Sequence, residues 1–140
     1  MVKTPKTPAK KKTAVKRTAK VKDQSKKLAD LIVSGMQEKK GSEIVTLDLR
    51  NLKNAVADYF IICHAESKPQ IEAIARSIEE FVQKGSSDKP YHREGFENAE
   101  WILLDYVNVV AHIFNSEKRD FYGIERLWAD ADIKRVAGNF

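Results

Sequence analysis

The stretch that most constrains this chain is Tyr59-Phe60-Ile61-Ile62-Cys63. In an extended strand successive side chains point to opposite faces. Five apolar residues in a row therefore leave no face to offer water, and the strand must lie inside a sheet with cover on both sides. Helical cover is visible on either side of it in the sequence. Leu28, Leu31, Ile32 and Met36 recur at helical spacing, with a start near Asp23 or Ser25 and a stop at Lys39-Lys40-Gly41. Ser67-Lys68-Pro69-Gln70 reads as a capping box with proline in the first turn. Behind it Ile71, Ile74, Ala75, Ile78, Phe81 and Val82 keep one apolar stripe until Gly85.

Other segments predict partner strands. Glu43–Leu49 alternates Ile44, Thr46 and Asp48 against Val45, Leu47 and Leu49, as expected of a strand with one better buried face. Tyr91–Phe96 reads as a short strand, and Trp101–Tyr106 with Val109–Phe114 as a hairpin. Its Val107-Asn108 corner is poor chemistry for a two-residue turn, because β-branched valine resists positive φ, so a longer loop or a bulge is expected. The order is helix, two strands, helix, three strands, short helix. That predicts an α/β domain with a mixed sheet of about five strands and flanking helices, without internal repeats. In Ala129–Phe140, Ile133, Val136 and Ala137 suit either an amphipathic turn or a frayed end.

Charge divides the chain unevenly. Met1 to Lys27 holds eleven Lys or Arg and one acid, a net of +10, whereas Leu28 to Phe140 holds fourteen basic and nineteen acidic residues, a net of −5. The overall basic charge thus describes the tail, while the folded part is acidic. Residues 1–22 read as a disordered basic tail and 23–140 as a single domain. The tail suits either a solubilising extension or an arm along RNA phosphates. One cysteine, Cys63, excludes an intrachain disulfide and suits a reducing compartment. No apolar run approaches the roughly 20 residues of a membrane span, and the N-terminus lacks the apolar core of a secretory signal. A cytoplasmic protein is expected.

The chain offers little catalytic chemistry. His64, His92, His112 and Cys63 have no spacing that gathers metal ligands, and no glycine-rich phosphate loop follows a strand, so neither metal nor cofactor is expected. The element order resembles the nucleotidyltransferases, which need two carboxylates one residue apart on a strand to hold metal ions. Here Asp48 is followed by Leu49-Arg50, and Asp58 precedes Tyr59-Phe60 without an acidic partner. A nucleotidyltransferase-like core without its catalytic acids is the expectation; a nucleotidyltransferase-like enzyme, or an RNA-binding protein acting through the tail, is the alternative.

Several motifs in fixed order carry a closer likeness. They are Ala57-Asp58-Tyr59-Phe60-Ile61-Ile62, Ala65-Glu66-Ser67, Gln70, Ala73-Ile74-Ala75 and Glu94-Gly95. After them come Ala99-Glu100-Trp101-Ile102-Leu103-Leu104-Asp105-Tyr106, Val109-Val110-Ala111-His112-Ile113-Phe114, and Arg119 ahead of Phe121-Tyr122-Gly123-Ile124-Glu125-Arg126-Leu127-Trp128. Together they resemble the ribosomal silencing factor (Iojap) family over about Asp23 to Trp128. Val107-Asn108 replaces the family's usual Gly-Asp, and Ala111 interrupts its run of valines. The resemblance implies a homodimer without enzymatic activity. It further implies binding to the large ribosomal subunit through ribosomal protein L-fourteen, blocked subunit joining and repressed translation.

An acidic domain suits a basic ribosomal protein. Trp101, Tyr106, Tyr122 and Trp128 are aromatic residues with a polar handle, fit either for a core or for an interface. Asp105 and His112 lie in neighbouring strands and suit either an exposed sheet face or an internal hydrogen-bonded pair. Arg119, Tyr122 and Glu125 are three residues apart and would share one face of a helix. If that face docks, charge reversal at Glu125 should weaken partner binding and leave the fold intact.

Overall fold

A computed structural model describes residues 19–136, with side chains described from Gln24. The elements run α1 (Ala19–Glu38), β1 (Ser42–Asp48), β2 (Tyr59–Ala65), α2 (Lys68–Ser86), β3 (His92–Glu94), β4 (Trp101–Asp105) and β5 (Val109–Asn115). Two short helices, α3 (Ser116–Tyr122) and α4 (Ile124–Leu127), and a last strand, β6 (Asp132–Arg135), complete the order. The strands form one mixed sheet in the order β3-β4-β5-β2-β1-β6. β2 pairs parallel with β5, and every other neighbouring pair is antiparallel.

β2 lies between β5 and β1, and six of its seven residues are buried, as its apolar run requires. Tyr59, Ile61, Cys63 and Ala65 face α1 and α2 and join Ile32, Met36, Ile71, Ile74 and Ile78 in one core. Phe60 and Ile62 face the other way and join Val45, Leu47, Leu49, Phe114 and Ile124 in a second. The helices on the first face approach closely. A Cβ on Gly35 would lie 2.7 Å from the Ile78 Cα, and Ser77 Oγ donates to the Gly35 carbonyl at 2.8 Å. Half of the expected capping box forms: Ser67 Oγ accepts from Gln70 N, while the Gln70 side-chain amide donates to the Lys39 and Lys40 carbonyls at 3.3 Å.

The structure differs from the sequence reading at three places in its elements. α1 begins at Ala19, ahead of Asp23 and Ser25, so neither is the cap; Ser25 is buried and its Oγ donates to Asp58 Oδ2 at 2.7 Å, tying α1 to the start of β2. The expected tail falls for residues 1–18 outside the described residues, as does 137–140. Six strands stand where about five were expected, because Asp132–Arg135 pairs with β1 at the sheet edge. The expected short helix is two, divided at Gly123.

The β4–β5 link is Tyr106-Val107-Asn108, one residue longer than the Val107-Asn108 corner, as the chemistry of that corner predicts. Val107 takes φ +75° and Asn108 N donates to Tyr106 O at 2.9 Å, a γ-turn that is strained for a β-branched residue. Three further bonds hold it: Val107 N to Asp105 Oδ1 at 2.7 Å, and Asp58 N and Tyr59 N to the Asn108 carbonyl at 2.7 and 3.3 Å. Tertiary demand at the parallel β2–β5 junction overrides the local preference.

Candidate docking surface

The two sheet faces are covered differently. α1 and α2, of 20 and 19 residues, lie over the first face. Among the described residues the second has only the short α3 and α4 and the turns at Leu52, Ala55 and Ala57, and its rings take the place of a long helix. Along β4 the residues Trp101, Leu103 and Asp105 point to this face and stay half-exposed.

Trp101 is the centre of a ring cluster. Its indole stacks on Phe114 at 4.9 Å and 28°, lies against Tyr122 at 4.8 Å, and donates from Nε1 to His112 Nδ1 at 3.0 Å. Phe121 stands edge-on to Tyr122 at 5.1 Å. Trp128 stands edge-on to Phe60 at 5.9 Å and is half-buried. Tyr122 is 40 % exposed, Phe121 72 % and Leu127 75 %, large apolar areas for a folded domain to leave in water. Beside them an open cleft runs between Trp101, Tyr122 and the β3–β4 turn, with Glu94, Glu97 and Glu100 against one cation, Arg93, in its lining.

Not every expected site residue belongs to this surface. Tyr106 is buried among the core side chains under α2, its hydroxyl lacks a partner among the described residues, and burial pushes its pKa up. It is a core aromatic. His112 is 4 % exposed in the centre of the sheet, so it is not free to meet a partner, and it pairs with Trp101 and not with Asp105. Burial lowers its pKa to about 3. An indole N–H can only donate, so Nδ1 accepts and the neutral ring carries its proton on Nε2. That Nε2 finds no partner among the described residues, an arrangement that costs about 1–3 kcal/mol. Asp105 stays near the surface, but one oxygen is spent on the Val107 turn.

Arg119, Tyr122 and Glu125 do not share a face. Gly123 takes φ +54° and its N–H caps Arg119 O, which ends α3 and redirects the chain. Arg119 turns inward, 7 % exposed. Its guanidinium grips both oxygens of Glu125 at 3.0 and 3.1 Å and donates to the Glu43 carbonyl at 2.8 Å and to His64 Nδ1 at 2.9 Å. The hydrogen bonds from Arg119 hold the Glu125 carboxyl below the usual range; burial, and then the nearby Arg119 charge, lower the His64 pKa. Glu125 is thus half of a structural clasp. Its charge reversal would leave a buried guanidinium opposed, so a loss of stability is expected alongside any loss of binding. Tyr122, on the other side of Gly123, packs on Trp101.

Elsewhere two acids of the sheet's end, Asp48 and Asp58, are committed. Asp48 is gripped by Arg50 at 2.9 and 2.7 Å, which lowers its pKa, and Asp58 holds Ser25. Among the described residues no three His, Cys, Asp or Glu gather as a metal site would need. Cys63 is enclosed, and burial pushes its thiol up to about 12, the opposite of an activated nucleophile. No described helix is long and apolar enough to cross a membrane. Leu103, Phe121 and Leu127 are surface residues that sequence reasoning missed. Apolar residues next to a helix-breaking glycine carried the signal for the last two, since a terminus at Gly123 leaves too few turns to bury both sides.

The model of the family described as ribosomal silencing factor during starvation matches residues 22–139. A ribosomal silencing factor from Halalkalibacterium halodurans is 33% identical over 81% of this chain and 96% of its own length. Its counterpart from Bacillus subtilis is 35% identical over 77% of this chain and 90% of its own. A crystal structure of a Chromobacterium violaceum protein superposes with a TM-score of 0.70 at 28% identity, covering 81% of this chain and 92% of that one.

Proposed function

The chain belongs to the ribosomal silencing factor family, and on that premise we propose that it binds the large ribosomal subunit through ribosomal protein L-fourteen and blocks subunit joining by occupying space. No bond is made or broken in such a mechanism. It requires a face that docks and a bulk that excludes.

The observation that carries the reading is the second sheet face. Trp101, Tyr122 and Trp128 are held by packing at one side yet open at another, beside exposed Phe121 and Leu127. Amphipathic rings at the centre of an apolar patch are the usual anchors of an interface. The acid-lined cleft next to them, and the net −5 of residues 28–140, complement a basic ribosomal protein and speed encounter. Asp105 lies on the same strand face as Trp101 and can meet a basic group with the oxygen that the turn leaves free. Arg119 and Glu125 support the surface from behind by fixing α3 and α4 on the sheet. The Lys-rich tail adds contacts to ribosomal RNA, and the protein works in the cytoplasm as a homodimer.

Co-sedimentation with isolated large subunits, isolated small subunits and whole ribosomes tests this. Retention by large subunits alone, with joining blocked, is the expected result. Equal retention by all three, lost as salt rises, would mean that binding is only the tail on RNA.

A further inference from the structure

We infer that His112 is a positioning residue for docking: its Nδ1 fixes the angle at which the Trp101 indole stands in the surface. The inference rests on the reading that this surface docks. Three groups hold the indole. Phe114 stacks on it at 4.9 Å and Tyr122 leans on it at 4.8 Å. Ring contacts set the plane of an indole but are nearly as well met after a flip about Cβ–Cγ, which keeps the plane and moves Nε1 to the other edge, because dispersion has little direction. The hydrogen bond from Nε1 to His112 Nδ1 at 3.0 Å is directional and removes that freedom.

His112 does nothing else that needs an imidazole. Its Nε2 has no partner among the described residues, and its other neighbours are the rings of Phe60 at 4.7 Å and Phe114 at 6.3 Å. A leucine would fill the same space without enclosing a polar atom. The one interaction that distinguishes histidine at this position from an apolar residue is the one with Trp101. A ring held at its angle before the partner arrives loses less freedom on docking.

Two readouts on the full chain test this. The first is the indole N–H resonance of Trp101, assigned by its loss in Trp101→Phe and followed by 15N-correlated NMR. In His112→Leu it should move toward the position of an unbonded indole and broaden. In His112→Asn, whose amide oxygen can stand near the Nδ1 position, it should stay shifted. The second is affinity for isolated large subunits. His112→Leu should bind about fivefold more weakly, the worth of one side chain left to be ordered on docking, and His112→Asn should recover most of that loss. Combined with Trp101→Phe, His112→Leu should add nothing, because it acts through the indole. An unmoved resonance in His112→Leu, or an undiminished loss of affinity in the Trp101→Phe background, overturns the assignment. Full affinity of Trp101→Phe alone would instead overturn the docking surface itself. If His112→Leu does not fold, His112→Phe keeps a ring and removes the acceptor, and the same outcomes decide.

Discussion

The two faces of the sheet solve the same burial problem with different materials. Under α1 and α2 the residues are mostly aliphatic, with Ile32, Met36, Ile71, Ile74 and Ile78 wholly enclosed, and the helices come close enough to require glycine at position 35. On the other face rings and a buried arginine join an aliphatic base of Val45, Leu47, Leu49 and Ile62, and cover stops short at Leu103, Tyr122 and Trp128. Aliphatic packing beneath full-length helices gives stability and offers nothing to a partner. Rings with polar handles give less complete burial but leave oriented groups in reach of one. If the second face docks as proposed, stability belongs to the first face and recognition to the second, and each half of that division can be broken.

The largest effect should come from the helix face. Ile78→Ala removes a fully buried side chain where two helices meet, and should cost about 4 kcal/mol in a denaturant titration. A loss below about 1 kcal/mol would mean that this face is looser than its packing implies.

Next is Arg119→Ala. It strips Glu125 of its partner and leaves two carbonyls and His64 Nδ1 short of a donor, for about 3 kcal/mol of stability. Large-subunit binding measured well below the unfolding temperature should fall less than for Trp101→Phe. A stable but non-binding Arg119→Ala would move Arg119 into the interface and blur the division.

pH acts on the second face through His112. Its folded pKa of about 3 lies below its ordinary value of 6.5, so the unfolded chain binds the extra proton first. The stability due to the neutral ring is complete above about pH 6.5 and drains as pH falls toward 3, by roughly 1.4 kcal/mol for each unit. The slope between pH 6.5 and 5 should flatten in His112→Leu. The carboxyls of Asp48 and Glu125, both held low, give up their share only at more acid pH. An unchanged slope would mean that the imidazole is hydrated in solution.

The smallest effect on stability should be that of Leu127→Ser, within about 0.5 kcal/mol because the side chain is already in water. Its effect on ribosome binding, in contrast, should be clear in the co-sedimentation assay. Unchanged binding would shrink the docking surface toward Trp101 and Tyr122.

What the sequence revealed follows the same division. The both-faces burial of β2 could be read from five consecutive apolar letters, and α2 from its cap and stripe, because periodicity reports burial directly. The fates of His112 and Arg119 could not. A polar residue in an apolar strand looks the same whether it faces water or a ring cluster, and only the position of Trp101 on the next strand decides. Tyr122 and Glu125 were misplaced for a nearer reason. Three-residue spacing was carried across Gly123, although a glycine after an aromatic is itself a helix stop. At Val107 the local rule was sound and the global constraint stronger: the chain must turn there for Asn108 to accept from Asp58 and Tyr59.

The parallel pairing at the centre of the sheet has a cost in time. Tyr59 pairs with Val109, so one edge of the most apolar strand waits for a partner 50 residues further along. At synthesis rates of about 5–20 residues per second, that edge is without its neighbour for several seconds on every nascent chain. β1 covers only the opposite edge, and an unpaired apolar strand edge is a template for other chains. The fold therefore depends on uninterrupted synthesis: stalling anywhere between α2 and β5 should leave a product that aggregates instead of folding.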